Sequence, residues 1–405
     1  MSIENSAIEW CGLKILTFTS LYPNAIEPHL GVFVENRLRH LLRSGAISGR
    51  VVAPVPWFPF SAQYFGRYAK LSRVPSREER FGVEVWHPRY PVIPKVGMNL
   101  APLLLYGFAR AAIARLIDAG YEFDLLDAHY FYPDGVAAVM LGRHFGKPVT
   151  ITARGTDINV IPRYLLPRRQ IIWAAKQAAA VISVSQALKE KLVQLGIERE
   201  RVSVLRNGVD LEIFQPVDND AFKSRHGLQS PLLLSVGNLV AGKGHNLVVR
   251  ALRHLPDASL AIAGSGPEEA SLNRLIGRLG LQRRVRLLGD IPHECMPEAY
   301  SAADILVLAS SREGWANVLL ESMACGTPVI ASNVGGAPEA VLCPEAGLLL
   351  PERTPDMIAE AATLLLATPP SRSATRRYAE RFSWQETTEG QLRLFRGILR
   401  QGLAG

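Results

Sequence analysis

The segment 303–341 constrains the fold of this chain more than any other stretch. Its apolar run 304–310 leads into a glycine-containing loop, which is typical of a strand buried on both faces of a parallel sheet. A short helix is predicted over 317–325, because Gly326 follows it as a C-terminal stop signal. Val329–Ser332 is predicted to be the next strand. The segment is therefore expected to form a strand, loop, helix and strand, and such sheets bind ligands in the loops at their strand C-termini.

Two glutamates of this segment are candidates for ligand binding. Glu313 lies in the predicted loop and Glu321 about one turn into the predicted helix, so both carboxylates can border one pocket at the helix N-terminus. That end of a helix has free backbone N–H groups and a partial positive charge, which suit a phosphate. A ligand with both hydroxyl and phosphate groups, such as a nucleotide sugar, fits this pocket. Taken alone, such a pair is more often an ordinary loop acid and a solvated helix residue.

Length and apolar content predict a two-domain globular protein. The chain has 405 residues, which is too long for one ordinary core and indicates two domains of roughly 150 to 200 residues each. Its 48% hydrophobic and 20% charged residues are typical of a globular protein. The longest apolar run, around 98–117, is interrupted by Arg110 and Arg115, so no membrane span is predicted.

Cysteine usage and the N-terminal sequence favour a cytoplasmic location. The chain does not open on a charged segment followed by an apolar core, so no secretory signal is predicted. The cysteines are scattered without metal-ligand spacing, which suits a reducing compartment. They are Cys11, Cys295, Cys325 and Cys343. We expect a cytoplasmic protein, a location compatible with peripheral binding to the cytoplasmic face of a membrane.

The charge of the chain is concentrated in its first half. Residues 1–205 carry 25 Lys and Arg against 16 Asp and Glu, a net charge of +9, whereas residues 206–405 carry 20 against 21, a net charge of −1. A basic half indicates an anionic partner, and an anionic membrane surface is expected. Nucleic acid is not expected, because the basic residues are dispersed and no recognised binding motif accompanies them.

The segment 163–178 is the strongest candidate for a membrane-binding helix. Basic side chains alternate there with apolar ones, as in a helix that lies on a membrane surface, although a solvated helix face has the same pattern. Its members are Arg163, Arg168, Arg169, Trp173 and Lys176.

Other candidate contacts of the first half follow predicted strands. The strand 13–20 is followed by a loop and by a helix that Gly31 opens, where the backbone can approach a ligand. The loop lacks the Gly-x-Gly-x-x-Gly pattern, which argues against NAD. His129 ends the predicted strand 123–129, where ligands gather, although a lone histidine is more often structural. The aromatic and basic segment 57–81 is interpreted either as a membrane- or acceptor-facing excursion or as an ordinary loop.

In the second half, Lys243 is the candidate phosphate ligand. It lies between two glycines after the predicted strand 232–237 and just before a predicted helix, a position suited to a pyrophosphate. Asp218 and Asp220 superficially match an Asp-x-Asp metal motif. They lie in a polar linker without a preceding apolar strand, so we predict a solvated turn there and no metal site.

The sequence around these candidates resembles a known family. The motifs 310–314 (SSREG) and 321–329 (ESMACGTPV) resemble the donor-site signature of family 4 retaining glycosyltransferases of the GT-B fold. The resemblance runs over 15–398 and implies an α/β protein with two doubly wound Rossmann-like domains facing a cleft. The implied domains are an acceptor-binding domain at 1–208, onto which a C-terminal helix at 383–402 packs back, and a nucleotide-sugar-binding domain at 209–382.

The resemblance also implies roles for individual residues. Catalytic roles fall on His129, Lys243 and Glu313. Acceptor or phosphate contacts fall on Arg154, where the family usually has His, and on Asp157 and Arg206. The family often has Arg at the position of Asn238. The implied donor-binding residues are Gly31, Asn238, Lys243, Gly264, Ile291, Glu313, Gly314, Trp315, Ala316, Asn317 and Glu321.

The function implied by the resemblance is transfer of a sugar from a nucleoside diphosphate sugar to a hydroxyl acceptor, with retention of configuration. The acceptor is expected to be lipid-linked or a saccharide, in cell-envelope polysaccharide or glycolipid synthesis. No cofactor is expected, and the reaction is expected to be metal-independent. Two alternatives stay open: a nucleotide-sugar epimerase of GT-B type and a non-catalytic lipid-surface binding protein.

Overall fold

The computed structural model describes residues 12–57, 70–92, 97–218 and 220–403. The chain divides into two compact units. The first unit contains Met1–Val184, Lys189–Leu205 and Thr388–Gly405, and the second contains Ser185–Leu188 and Arg206–Thr387.

The described strands of the first unit form one large and one small sheet. They are β1 (Leu13–Phe18), β2 (Ile47–Val52), β3 (Val55–Trp57), β4 (Arg77–Arg80), β5 (Val83–Trp86), β6 (Arg89–Pro91), β7 (Leu125–His129), β8 (Val149–Ala153), β9 (Ala180–Ser183) and β10 (Val202–Val204). The large sheet has the order β10-β9-β8-β7-β1-β2-β5-β4, and β3 pairs with β6. Only β4 and β5 pair antiparallel in the described part of the large sheet. Because the order reverses between β1 and β7, the loops after these two strands flank a topological switch point.

Helices cover this sheet because its strands are apolar on both faces, and every residue of β7 and of β8 is buried. The helices are Val32–Arg43, Ala101–Asp118, Val136–Phe145, Thr156–Asn159, Leu165–Gln177 and Gln186–Gln194. One core cluster joins Ile15 and Val51 of the sheet to Leu38 of the first helix. Phe395, from the last helix of the chain, is fully buried in the same cluster.

The second unit is built on a fully parallel sheet of six described strands. They are β11 (Leu232–Val236), β12 (Ser259–Ala263), β13 (Val285–Gly289), β14 (Ile305–Leu308), β15 (Val329–Ser332) and β16 (Gly347–Leu350). The order is β13-β12-β11-β14-β15-β16, with every neighbouring pair parallel. The strand order therefore reverses between β11 and β14, and all strand C-termini lie at one edge of the sheet.

Most helices of the second half belong to the second unit and include the one predicted after β14. They are Asp220–His226, His245–Ala251, Glu269–Arg278, Met296–Ala302, Asn317–Ala324, Ala337–Ala340, Pro355–Ala367 and Arg372–Ala379. The last helix, Trp384–Leu403, lies largely in the first unit. The predicted strand, loop, helix and strand over 303–341 are all present, and Gly326 has the left-handed φ of 79° expected after a helix.

Three sequence expectations differ from the structure. The segment 57–81 contains the regular strand β4, while residues 58–69 lie outside the described part. Asp220 begins the helix Asp220–His226 and is not in a turn, and Asn219 lies outside the described part. The helix Ala101–Asp118 and the 3-10 turn Gly97–Leu100 before it are together long and apolar enough to cross a membrane, by length and composition alone. The interruption by two arginines therefore did not disqualify that run, although a single such helix is weak evidence for a span.

Candidate active site

The loops after β11 and β14 meet at the switch point of the second unit. Lys243 follows β11, and its ammonium lies 2.6 Å from Oε1 of Glu313, which follows β14. The Ser311 amide also donates to the carbonyl of Gly242 at 2.7 Å. The structure thus brings two predicted catalytic residues into direct contact where an open parallel sheet binds ligands.

Glycines allow these loops to approach one another closely. A Cβ on Gly244, whose φ is 73°, would lie 2.1 Å from the carbonyl oxygen of Ala309 after β14. A Cβ on Gly264, whose φ is 139°, would lie 2.1 Å from the carbonyl oxygen of Gly237 after β11. Both positions need glycine for the left-handed backbone and for the contact. Gly264 therefore has a packing role whether or not it touches a ligand.

The Lys243–Glu313 pair is only partly accessible. The side chain of Lys243 is 29% exposed and that of Glu313 is 10% exposed. An ammonium has three donors, so Lys243 can keep this carboxylate contact and still donate to an incoming phosphate oxygen. The pair can thus hold a positive group in place before a diphosphate binds.

Glu321 forms a second polar cluster one turn into the helix Asn317–Ala324. Its Oε2 accepts a hydrogen bond from the Tyr300 hydroxyl at 2.7 Å, and its Oε1 lies 3.5 Å from Nε2 of His293. Burial disfavours the charged form of His293, but the hydrogen bond and charge of Glu321 outweigh it and raise the pKa of His293. Burial, followed by the charge of Glu321, raises the pKa of Tyr300 well above its usual value. Glu321 is therefore an oriented carboxylate and not a solvated helix residue.

The loop between β14 and this helix is held by buried contacts. Gly314, Trp315 and Ala316 are all buried, and the Trp315 indole N–H donates to the carbonyl of Asn207 at 3.0 Å. The amide of Asn207 donates to Oδ1 of Asn317, which begins the helix, at 3.2 Å. Four neighbouring residues that were predicted to bind the donor are thus held in place by burial and by hydrogen bonds within the second unit.

Two residue sets of the second unit were not identified as site residues from the sequence. Gly335 and Gly336 pack against the backbone of the loop after β14, since a Cβ on Gly335 would lie 1.9 Å from the carbonyl oxygen of Glu313. Glu339 accepts two hydrogen bonds from Arg206, at 2.9 and 2.6 Å, and two from the amides of Gln186 and Ala187. The two consecutive glycines after β15 could have indicated a close backbone contact from the sequence, whereas no sequence pattern indicated the contacts of Glu339.

The remaining predicted donor residues are distributed between the two units. Asn238 is exposed after β11, and Ile291 is half-buried after β13, so both lie at the same sheet edge as Lys243. Gly31 lies in the first unit, where its φ is 69° and a Cβ would lie 2.2 Å from the carbonyl oxygen of Leu21. The backbone at Gly31 therefore closely approaches the backbone of Leu21, whereas the sequence predicted an approach to a ligand.

His129 ends β7 in the first unit and uses both ring nitrogens within the protein. A guanidinium N–H of Arg154 lies 2.6 Å from Nδ1, and Nε2 lies 3.2 Å from Oδ2 of Asp127. Arginine can only donate, so Nδ1 is the acceptor and Nε2 carries the proton that is shared with Asp127. Burial, opposed by Asp127 and reinforced by Arg154, lowers the pKa of His129 to about 4.

The hydrogen-bond chain continues from His129 to the last helix. Asp127 accepts from the hydroxyl of Thr150 at 2.7 Å and from the amide of Gln391 at 3.0 Å. Gln391 in turn accepts from Nε of Arg37 at 2.8 Å. His129 is therefore held in one tautomer and one orientation, and Arg154 is the basic group beside it.

Asp157 and Arg206 also have partners inside the protein. The Asp157 carboxylate accepts from the amides of Phe131 and Gly155, both at 2.7 Å, and from that of Arg154 at 3.1 Å. It is fully buried, so its contacts fix the loops after β7 and β8. Arg206 belongs to the second unit and pairs there with Glu339, whereas Asp157 belongs to the first unit.

No group of three or more His, Cys, Asp or Glu side chains within residues 12–57, 70–92, 97–218 and 220–403 is arranged to hold a metal ion. The partly exposed cluster around Lys243 and the buried cluster around His129 combine basic side chains with carboxylates. Such clusters suit an anionic ligand.

Sequence families match both halves of the chain. The family described as Glycosyl transferases group 1 matches residues 216–382, and Glycosyltransferase Family 4 matches residues 39–213. TuaC of Bacillus subtilis (strain 168), whose name describes a glycosyltransferase of teichuronic acid biosynthesis, is 30% identical over 359 residues. Those residues are 87% of this chain and 88% of that protein.

Solved structures are similar over nearly the whole chain. The sucrose-phosphate synthase tll1590 of Thermosynechococcus elongatus has a TM-score of 0.78 at 20% identity, covering 96% of this chain and 100% of that chain. Anabaena Alr3699/HepE in complex with UDP and glucose has a TM-score of 0.72 at 20% identity, covering 94% and 98%. These structural similarities establish the fold, and the sequence matches establish the family. The chain belongs to glycosyltransferase family 4 and has the GT-B fold, with two Rossmann-like domains.

Proposed function

We propose that the protein transfers a sugar from a nucleoside diphosphate sugar to a hydroxyl acceptor with retention of configuration. The observation that carries the proposal is the contact between Lys243 and Glu313 at the switch point of the second unit. An oriented Glu321 lies in the helix that follows. A structural neighbour that was solved with UDP and glucose supports a donor of this class.

In the proposed reaction the bond between the sugar C1 and the diphosphate oxygen breaks, and a bond from C1 to the acceptor oxygen forms on the same face. The acceptor proton passes to an oxygen of the departing diphosphate, so no carboxylate nucleophile is needed. Lys243, held by Glu313, donates to the diphosphate as negative charge develops on it. The step uses neither a metal ion nor a cofactor.

Glu321 is proposed to accept hydrogen bonds from the ribose hydroxyls of the donor. Its two oxygens already face the Tyr300 hydroxyl and the His293 ring, which fix the carboxylate in one direction. A carboxylate has about four acceptor positions, so these contacts leave room for hydroxyl donors.

The acceptor is proposed to be lipid-linked or a saccharide, in the synthesis of a cell-envelope polysaccharide or glycolipid. The name of TuaC supports a polysaccharide. The net charge of +9 in residues 1–205 supports an anionic acceptor or membrane surface. A cytoplasmic protein at the inner face of a membrane fits both observations, and Arg154 is the proposed contact to an acceptor phosphate.

The proposal can be tested by incubating the protein with sugars of UDP, GDP and ADP and measuring the nucleoside diphosphate released. We expect one donor to raise the melting temperature and to be cleaved only when a saccharide or lipid-linked acceptor is present. Isomerised nucleotide sugar without an acceptor would instead identify an epimerase. Absence of any nucleotide binding would overturn the proposal and leave a non-catalytic binding protein.

A further inference from the structure

Three helices of the first unit enclose an apolar groove. The helices Ala101–Asp118, Val136–Phe145 and Leu165–Gln177 border a cavity of about 690 Å³. Its apolar wall includes Leu103, Tyr106, Met140 and Trp173, and two arginines, Arg143 and Arg169, also line it. None of the described residues that line the groove is acidic. The groove thus offers an apolar floor with positive groups beside it.

The charge of the three helices is strongly one-sided. They contain six lysines and arginines and one acidic residue, Asp118. The guanidinium of Arg143 stacks 5.1 Å from the ring centroid of Trp173 and donates to the amide oxygen of Gln177 at 2.5 Å, so its charge is not neutralised by those contacts. The six basic residues are Arg110, Arg115, Arg143, Arg168, Arg169 and Lys176. A net charge of +5 around an apolar groove complements an anionic amphiphile.

Large apolar side chains are exposed next to the same groove. The 3-10 turn Gly97–Leu100, which leads into the helix Ala101–Asp118, packs against the helix Leu165–Gln177. Exposed apolar residues that cluster beside charged ones usually mark an interaction site. The exposed residues of these two helices and of the turns that lead into them are Met98, Leu100, Leu103, Phe108, Tyr164, Leu165 and Leu166.

The helix Ala101–Asp118 has apolar residues both on the side that is buried in the unit and on the side that borders the groove. Leu105, Ala109, Ile113 and Leu116 are fully buried in the unit. Burial in the unit accounts for only part of the apolar character of this helix, because only about a third of its most apolar 18-residue stretch is buried. Leu103 and Phe108 of the same helix are exposed, and Leu103 lines the groove.

We propose that this groove binds the hydrocarbon chain of an anionic membrane lipid, whose phosphate contacts Arg143 and Arg169. The exposed leucines beside the groove then enter the interface of the bilayer, and the basic residues lie at the headgroups. The proposal specifies the membrane partner of the proposed function and rests on that function only for its biological role. It differs from electrostatic adsorption alone, because a lipid chain enters the protein.

The lipid chain can be detected through Trp173, which lines the groove. The full-length protein is mixed with phosphatidylglycerol vesicles whose acyl chains carry bromine, a contact quencher of tryptophan fluorescence, and with unbrominated vesicles. The quenching that disappears in Trp173→Phe belongs to this residue. We expect that part to dominate the total and to persist at a salt concentration that removes loosely adsorbed protein.

Matched variants separate the groove from the rest of the surface. Leu103→Gln is expected to weaken vesicle binding about tenfold, the effect of no longer burying one leucine. Leu364→Gln, at an exposed leucine of the second unit, should bind as the unmodified protein does. Arg169→Glu is expected to weaken binding roughly tenfold or more, whereas Arg274→Glu, on an exposed helix position of the second unit, should change it little.

Several results would overturn the proposal. Equal effects of Leu103→Gln and Leu364→Gln, or no bromine quenching of Trp173, would mean that no lipid chain occupies the groove. Self-association of lipid-free protein that Leu103→Gln abolishes would assign the groove to a second copy of the chain. Nucleotide binding, measured in parallel by thermal shift, tests the proposed function separately, because none of these substitutions lies in the second-unit cluster around Lys243.

Discussion

At the scale of single residues, Lys243 is the group whose surroundings fit a role in leaving-group stabilisation. It lies against Glu313 where two loops meet, and 29% of its side chain remains exposed. Lys243→Ala is expected to lower turnover by ~10²-fold, about 2.7 kcal/mol, the lower end for removing one preorganised donor. Initial rates at saturating donor check this.

The matched control is Lys223, a lysine of the same unit whose ammonium lies 3.7 Å from Asp304 at the start of β14. Lys223→Ala also removes a lysine from an ion pair, but at the opposite edge of the sheet. Turnover of Lys223→Ala should stay within about twofold of that of the unmodified protein, since this lysine lies away from the loops that form the candidate site. Equal losses in both variants would remove Lys243 from the reaction.

Glu321 is predicted to recognise ribose. Glu321→Gln is expected to weaken nucleotide binding by ~1.5–3 kcal/mol, the range for hydrogen bonds to charged groups. Tyr300→Phe removes only one orienting contact and should have a smaller effect. Calorimetric titration with ribose and 2′-deoxyribose nucleotides checks the assignment, and equal affinity of the unmodified protein for both would contradict it.

Asp134 makes stability depend on pH. Burial raises its pKa from 3.8 to about 7, although it accepts hydrogen bonds from the amide and hydroxyl of Ser20. The folded state therefore binds more protons than the unfolded state between these values, and Asp134 reduces stability as pH rises through that window. Asp134→Asn can keep both contacts with Ser20 and has no charge to bury.

We therefore expect the melting temperature of Asp134→Asn, relative to the unmodified protein, to increase from pH 4 to pH 7 and to level off above it. The comparison cancels the titration of other groups that both proteins share. If the difference in melting temperature between the two proteins is the same from pH 4 to pH 7, Asp134 is ionised over this whole range in the folded state.

At the scale of elements, the sequence predicted those with strong local signals. The helix Asn317–Ala324 ends one residue before the predicted limit, because Gly326 stops it. The helix Arg372–Ala379 was not predicted, since the residues it buries are Thr375, Tyr378 and Ala379 and form no apolar pattern. Strand β4 was missed for a related reason, as REER becomes a strand only by pairing with β5. Tertiary contacts determine both elements.

The candidate site shows the same division. Sequence placed Lys243 and Glu313 after apolar strands, but their contact depends on β11 and β14 being neighbours. The occupation of both His129 nitrogens depends on Asp127, in strand β7, and on Arg154, which directly follows strand β8. Glu339 lies in a four-residue helix without a motif that announces its contacts. Spatial neighbours, unlike strand ends, cannot be obtained from local patterns.

Close packing of the loop after β11 gives a prediction for the element. Gly244 and Gly45 have φ values of 73° and 70°, but only at Gly244 would a Cβ meet another backbone atom. Gly45→Ala is expected to lower the free energy of unfolding by ~1–2 kcal/mol through left-handed strain alone. Gly244→Ala is expected to lower it by ~2–5 kcal/mol, because strain and overpacking add. Denaturant titration measures both, and equal losses would show that the loop moves freely.

At the scale of the whole molecule, the two compact units have separate cores, and the first includes residues from the end of the chain. Phe395 is fully buried with Ile15 and Val51, and Gln391 contacts Arg37 and Asp127. The nucleotide is proposed to bind the second unit. A ligand stabilises the folded unit that binds it, so the two cores can be distinguished by their response to nucleotide.

Phe395→Ala is therefore expected to destabilise the first unit although it lies ten residues from the C-terminus. Loss of a buried phenylalanine should lower the free energy of unfolding of that unit by ~3–5 kcal/mol. Scanning calorimetry with and without the bound nucleoside diphosphate checks this, because the transition that Phe395→Ala lowers should be the one that the nucleotide raises least. Arg393→Ala, at an exposed position of the same helix, is the control and should leave both transitions in place. If Phe395→Ala instead lowers only the transition that nucleotide stabilises, the last helix contributes its stability to the second unit.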